Sequence, residues 1–147
     1  DVQKAAKETA LPTHNHPEGI KGAVVTATCI WMAKNGRNKQ EIYDYVLSEY
    51  PEDKYEYSIS KSVGELIPVY KWNETCQGSV SVAMRCFYES DSYESFLRNV
   101  FRLDCDTDTL AAIGGSVAEE FYKGTGFDNE KILNAYLDEN LLSILNE

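Results

Sequence analysis

Positive charge is scarce in this chain. Against 24 Asp and Glu stand 14 Lys and Arg, a formal net charge of −10, and no basic cluster stands out. Such a surface repels phosphate backbones, which argues against nucleic-acid binding. A phosphorylated substrate would need a cation or helix N-termini to be held. Long apolar runs are missing too: none approaches the roughly 18 to 20 residues that cross a bilayer, so no membrane partner is expected. The opening stretch, "DVQKAAKETALPTHNHPEG", has neither a charged-then-apolar signal pattern nor an initiating Met. The expectation is that translation starts upstream of Asp1. Cysteine is limited to Cys29, Cys76, Cys86 and Cys105, with no C-x-x-C spacing, which reads as reduced thiols in a cytoplasmic protein. Internal repeats and low-complexity tracts are absent.

No convincing strand alternation is present either; apolar residues recur at helical spacing almost everywhere. A length of 147 residues with 43% hydrophobic content suits one domain with a sizeable core. Ile20, Ala23, Val24, Ala27 and Trp31 mark a first helical face, with Gly36 placed as a C-cap. Asn38 and Glu41 form a capping-box pattern ahead of Ile42, Tyr45 and Val46. Val80, Ala83, Met84, Phe87 and Tyr88 predict a helix over about 76–89. Tyr93, Phe96, Leu97, Val100 and Phe101 predict another over about 92–102, entered through Asp91 or Ser92. Leu110, Ile113, Gly114, Val117, Ala118 and Phe121 line a helix that Gly124 would end. Leu133, Tyr136, Leu137, Leu141, Ile144 and Leu145 mark a last helix beginning near Asp128. The expected class is all-α, about six helices. Residues 51–75, "PEDKYEYSISKSVGELIPVYKWNET", lack that period; they read as an ordered connection in which Ile67, Tyr70 and Trp72 need burial.

Three stretches carry chemistry. In "RLDCDTDTLAAIGG", Asp104, Asp106 and Asp108 crowd together just before a helix. Asp106, Asp108 and Thr109 can point into one small volume, and carboxylates with a hydroxyl are hard oxygen ligands suited to Mg²⁺, Mn²⁺ or Ca²⁺. Helix capping explains one such acid equally well, but not two or three. Neighbouring carboxylates raise a thiol pKa, so Cys105 is rejected as a nucleophile. In "THNHPEGIKGA", His14 and His16 are the only histidines, standing before Pro17 at a helix N1 position. An H-x-H pair can ligate zinc, contact substrate or simply hydrogen-bond, and no third nitrogen or thiolate partner is visible. Gly19 and Gly22 in the first turns suggest a close approach to the backbone. In "ETCQGSV", Gln77, Gly78 and Ser79 open a helix whose N–H groups could accept an anion, or mark a plain helix start.

Together and in this order, "HNHPEGIKGA", "CQGSV" and "DCDTDTLAAIGGSVAEEFY" resemble the C-terminal half of the ADP-ribosylglycohydrolase family, the group that includes dinitrogenase reductase-activating glycohydrolase. The closing "YLDENLL" is similar to that family's final helix. The resemblance implies an orthogonal all-α fold holding two Mg²⁺ or Mn²⁺ ions in a cleft that cleaves ADP-ribose from a modified side chain or small conjugate. Carried over, Asp106, Asp108 and Thr109 match metal ligands. His14, Asn15 and His16 match a loop near the substrate cleft, and Gln77, Gly78 and Ser79 match a helix start lining it.

Two departures bear on this. Asp104 and Cys105 stand where the family has Gly-Gly. The family's N-terminal ligands, a Thr/Ser-Asp-Asp triplet and an early glutamate, have no counterpart; "SDS" at 90–92 does not fit. The chain is therefore expected to be the C-terminal portion of one larger domain, inactive alone, its site completed by an N-terminal half or another subunit. The rival readings are a non-catalytic ADP-ribose- or metal-binding member of the fold, and a helical interaction module whose acids are only caps.

Overall fold

The computed structural model describes residues 1–145, and among these residues every regular element is a helix. Nine are present: α1 (Val2–Ala10), α2 (Pro17–Lys34), α3 (Lys39–Glu49), α4 (Val63–Leu66), α5 (Cys76–Tyr88), α6 (Tyr93–Phe101), α7 (Thr107–Tyr122), α8 (Asn129–Tyr136) and α9 (Glu139–Leu145). The all-α class follows from the helical period, and the additional helices have local causes. Helix α1 starts because Asp1 accepts from the Gln3 N–H. Helix α4 arises inside the 51–75 connection from a capping box between Ser62 and Glu65. The expected last helix is two. Leu137 is extended, and the Asp138 carboxylate accepts from Leu141 N at 2.9 Å to start α9.

Helix α5 is the central post: Gly78 to Met84, Cys86 and Phe87 are all buried. It packs against α2, α3, α6 and α7, while α2 also meets α1, α3 and α7. Close approach sets these crossings. A Cβ on Gly114 of α7 would lie 2.6 Å from the Phe96 ring and 2.9 Å from the Ala83 carbonyl. One on Gly22 of α2 would lie 2.7 Å from Cys76 Sγ. At Gly22 the close approach read from the sequence is thus made by the protein itself.

Two expectations about faces are corrected. In α2 the buried positions are Gly22, Val25, Thr28, Cys29 and Ala33, whereas Ile20, Ala23, Val24 and Ala27 are half-buried and Trp31 is exposed. The helix is apolar nearly all round, so periodicity alone could not select the face that α5 covers. In the 51–75 connection Tyr70 is fully buried, but Ile67 and Trp72 are exposed, the latter at 62%. Burial there falls to Tyr57, Ile59, Val63, Leu66 and Tyr70, and the Trp72 indole N–H is satisfied by Glu74 at 3.0 Å. The connection is ordered, as expected. Ser81 of α5 donates to the Tyr57 carbonyl, Arg85 to the Ile59 carbonyl, and the Val63 N–H to Glu89.

Candidate functional site

Helix α7 begins at Asp106, whose carboxylate makes no capping bond to the backbone. It accepts instead from the Thr109 hydroxyl at 2.8 Å. A hydrogen bond with the Asp106 carboxyl, followed by the N–H groups of Asp108 itself and of Thr109, holds Asp108 below the usual carboxylate range. Asp106, Asp108 and Thr109 therefore converge, with Asp106 and Thr109 half-buried and Asp108 exposed. Burial, reinforced by Asp106 and Asp104, pushes the Cys105 thiol up to about 11, in line with its rejection as a nucleophile. Among the described residues no group of three or more His, Cys, Asp and Glu side chains could hold a metal. Two carboxylates and a hydroxyl nonetheless fit part of a hard-ion shell, and a carboxylate at a helix start that caps nothing is free to ligate.

The histidines lie at the start of α2. His16 is its N-cap, Nδ1 accepting from the Glu18 N–H at 3.2 Å, and Pro17 takes the first helical position as expected. His14 Nδ1 lies 2.7 Å from the Thr13 hydroxyl. Its carbonyl would be 3.2 Å from a Cβ on Gly19, so Gly19 makes room for the turn that carries His14. Asn15, between the two histidines, is exposed. His14 lines an open apolar groove of about 510 Å³ between α1 and α2, floored by Cys76, Val80 and Ile113.

Gln77 and Gly78 line a different cleft, about 380 Å³ and mostly polar, together with Glu18, Lys54, Tyr55, Tyr57, Asn73 and Thr75. Ser79 is buried, its hydroxyl turned back to the Thr75 carbonyl at 2.8 Å. Thr75 caps the Gly78 N–H and is itself held by Asn73 Oδ1 at 2.6 Å from its hydroxyl. In the first turn of α5 the Gly78 N–H is thus taken by the helix's own cap. Asn73 lies so close that a Cβ on Gly78 would meet it at 2.2 Å.

The 51–75 connection supplies what sequence reading missed. Tyr55 accepts from Lys21 Nζ at 2.7 Å and donates to Glu18 at 3.0 Å, pinning the connection onto α2. Tyr70 donates to the Gly78 carbonyl at 2.9 Å; burial above all, with Cys105 and Asp106 among its neighbours, raises its phenol pKa. Lys71 pairs with Asp104 at 3.2 Å. Residues 70 and 71 therefore tie the Gln77–Gly78 start to the acid loop, while His14 faces the apolar groove. The signal in sequence was the Tyr-rich composition of the connection, which gave burial but no location.

The pattern of the ADP-ribosylglycohydrolase family matches residues 1–119. The chain belongs to that family. The matched region takes in the His14–His16 loop, the α5 start and the Asp106–Thr109 cluster; it ends within α7, so the "YLDENLL" similarity lies outside it. A protein of Acanthamoeba polyphaga mimivirus bearing the name "Putative ADP-ribosyl glycohydrolase" is 24% identical over 141 residues, covering 84% of this chain and 42% of that protein. This member of the family thus spans less than half the length of that relative. No solved structure gives a significant match. Among the described residues no helix is long and apolar enough to cross a membrane.

Proposed function

We propose that this chain contributes part of the active site of a metal-dependent ADP-ribosylglycohydrolase. Asp106, Asp108 and Thr109 would hold one side of a centre of two Mg²⁺ or Mn²⁺ ions. When bound, such ions polarise hydroxyl groups and lower the pKa of water, as hydrolysis at the anomeric carbon of an ADP-ribosyl group requires. Gln77 and Gly78 line the cleft beside Tyr55 and Tyr57, where polar groups and ring faces can orient the substrate. Ser79 holds the Thr75 carbonyl and so shapes that helix start. His16 fixes the entry of α2, and His14 and Asn15 stand on the loop beside it. The remaining ligands would come from an N-terminal portion of a longer polypeptide or from another subunit, and these 147 residues alone would be inactive.

One observation carries the metal reading over the capping one: Asp106 occupies the N-cap of α7, yet its carboxylate caps no N–H and accepts instead from the Thr109 hydroxyl. The test is hydrolysis of ADP-ribosyl-arginine in Mg²⁺ by the full-length protein and by residues 1–147. Release of ADP-ribose by the former, lost in Asp106→Asn, is expected. Turnover by the 147 residues alone would overturn the half-site reading, and activity insensitive to chelator would overturn the metal one.

A further inference from the structure

An acidic protein would need positive charge to hold a diphosphate-bearing sugar. At the start of α5 the Thr75 hydroxyl takes the Gly78 N–H, and the first turn of α7 carries the carboxylate of Asp108. One cation lies against the acid loop in another way. Lys71 Nζ sits 3.2 Å from Asp104 Oδ2. Among the described residues, the other ion pairs are local i,i+3 or i,i+4 contacts, and this pair joins two separate segments. Both side chains are open to water, 67% and 75% exposed, so the pair adds little stability and separates readily. Its segment, by contrast, is fixed: the neighbouring Tyr70 is fully buried and bonded to the Gly78 carbonyl. A solvent-exposed cation on a fixed segment thus pairs with Asp104, which lies two positions before Asp106 and stands where the family resemblance places a glycine.

We propose that Lys71 is an anion-binding residue of this site and that Asp104 is its internal competitor. The bound anion is a phosphoryl or diphosphate group, for which Lys71 exchanges its carboxylate partner; Asp104 then turns into solvent, which its exposure allows. Only the identity of the anion as the diphosphate of ADP-ribose rests on the glycohydrolase reading. The consequence is a tuned affinity. Asp104 weakens anion binding both by occupying Lys71 and by like-charge repulsion, and only the first effect depends on Lys71 being present.

The experiment is calorimetric titration of the full-length protein at low salt with inorganic pyrophosphate in chelator, and with ADP-ribose in Mg²⁺, for wild type, Lys71→Met, Asp104→Asn and the double variant. Circular dichroism checks that each variant folds. Lys71→Met is expected to weaken both ligands about tenfold. Asp104→Asn is expected to tighten both about two- to fivefold, and most of that gain should vanish in the Lys71→Met background. Equal affinities of wild type and Lys71→Met, or a full Asp104→Asn gain that persists without Lys71, would overturn the proposal. Lys71-dependent binding of pyrophosphate with no binding of ADP-ribose would uphold the anion site and overturn the glycohydrolase reading. Binding of neither ligand would overturn both.

Discussion

The Thr109 hydroxyl donates to Asp106 Oδ2 at 2.8 Å, across the first turn of α7. A threonine at the third helical position and an aspartate at the N-cap usually face the backbone. Here they face each other, and Asp108, in the same turn, is held below the usual carboxylate range beside Asp106.

If that arrangement serves a divalent ion, Asp106→Asn should separate ligation from capping. Asparagine caps as well as aspartate and can still accept from Thr109, so stability should change by less than about 0.5 kcal/mol. Mn²⁺ affinity, read by electron paramagnetic resonance on the full-length protein, should fall by about 10- to 100-fold or more. Asp106→Asn combined with Asp108→Asn should abolish it. Unchanged affinity in the double variant would show that neither acid ligates the ion.

The pH dependence has a definite sign. Asp108 titrates below its unfolded value of about 3.9, so its contribution to stability is present above about pH 4 and fades as pH falls through the lower folded value. A site built from carboxylates should then hold Mn²⁺ with constant affinity from about pH 5 to 8 and lose it only in stronger acid. Titrations at a series of pH values check this. Loss of affinity already near neutral pH would instead count against an all-carboxylate site.

Packing at the α7 crossing gives a stability prediction. Gly114→Ala places a methyl 2.6 Å from the Phe96 ring and 2.9 Å from the Ala83 carbonyl. It should cost about 1–3 kcal/mol, since a ring in a filled core and a helix backbone cannot both yield. Each kcal/mol lowers the melting temperature by roughly 2–4 °C at this chain length. Gly64→Ala is the control: its Cβ meets only Ser62 Oγ at 3.9 Å, and its melting temperature should stay level or rise.

Helices α8 and α9 bury no residue, and Ile132, Leu133, Tyr136, Leu141 and Ile144 lie exposed, Tyr136 at 83%. Phe127 still packs edge-on against Tyr93 at 6.0 Å. Truncation after Phe127 should therefore lower helical content by circular dichroism while leaving the melting temperature within a few degrees. A drop of more than about 10 °C would show that the two helices support the core in solution.

How much of this was legible beforehand follows from which forces are local. The Asn38–Glu41 capping box, Pro17 at N1 of α2 and the ends of α5 and α6 form as read, because caps act over three or four residues. Gly36 takes positive φ just beyond the end of α2, and Lys123 and Gly124 do so beyond α7. The amphipathic faces of α6 and α7 were legible for the most part, although Phe101 of α6 is exposed. The face of α2 was not, since a helix apolar on all sides carries no phase. For the same reason Trp72 could be placed in an ordered segment but not on its outer surface.

The sequence by itself determined the helical class, the family and the residue types able to hold a hard cation, because periodicity, capping and ligand chemistry are written within a few neighbouring positions. Tertiary structure alone decided that Asp106 turns from its helix end toward Thr109 and that His14 and Gln77 face different clefts. It also decided that Lys71 reaches Asp104 across 33 positions. Those relationships depend on how α2, α5 and α7 cross, and the crossings are set by where Gly22 and Gly114 let side chains and backbone approach.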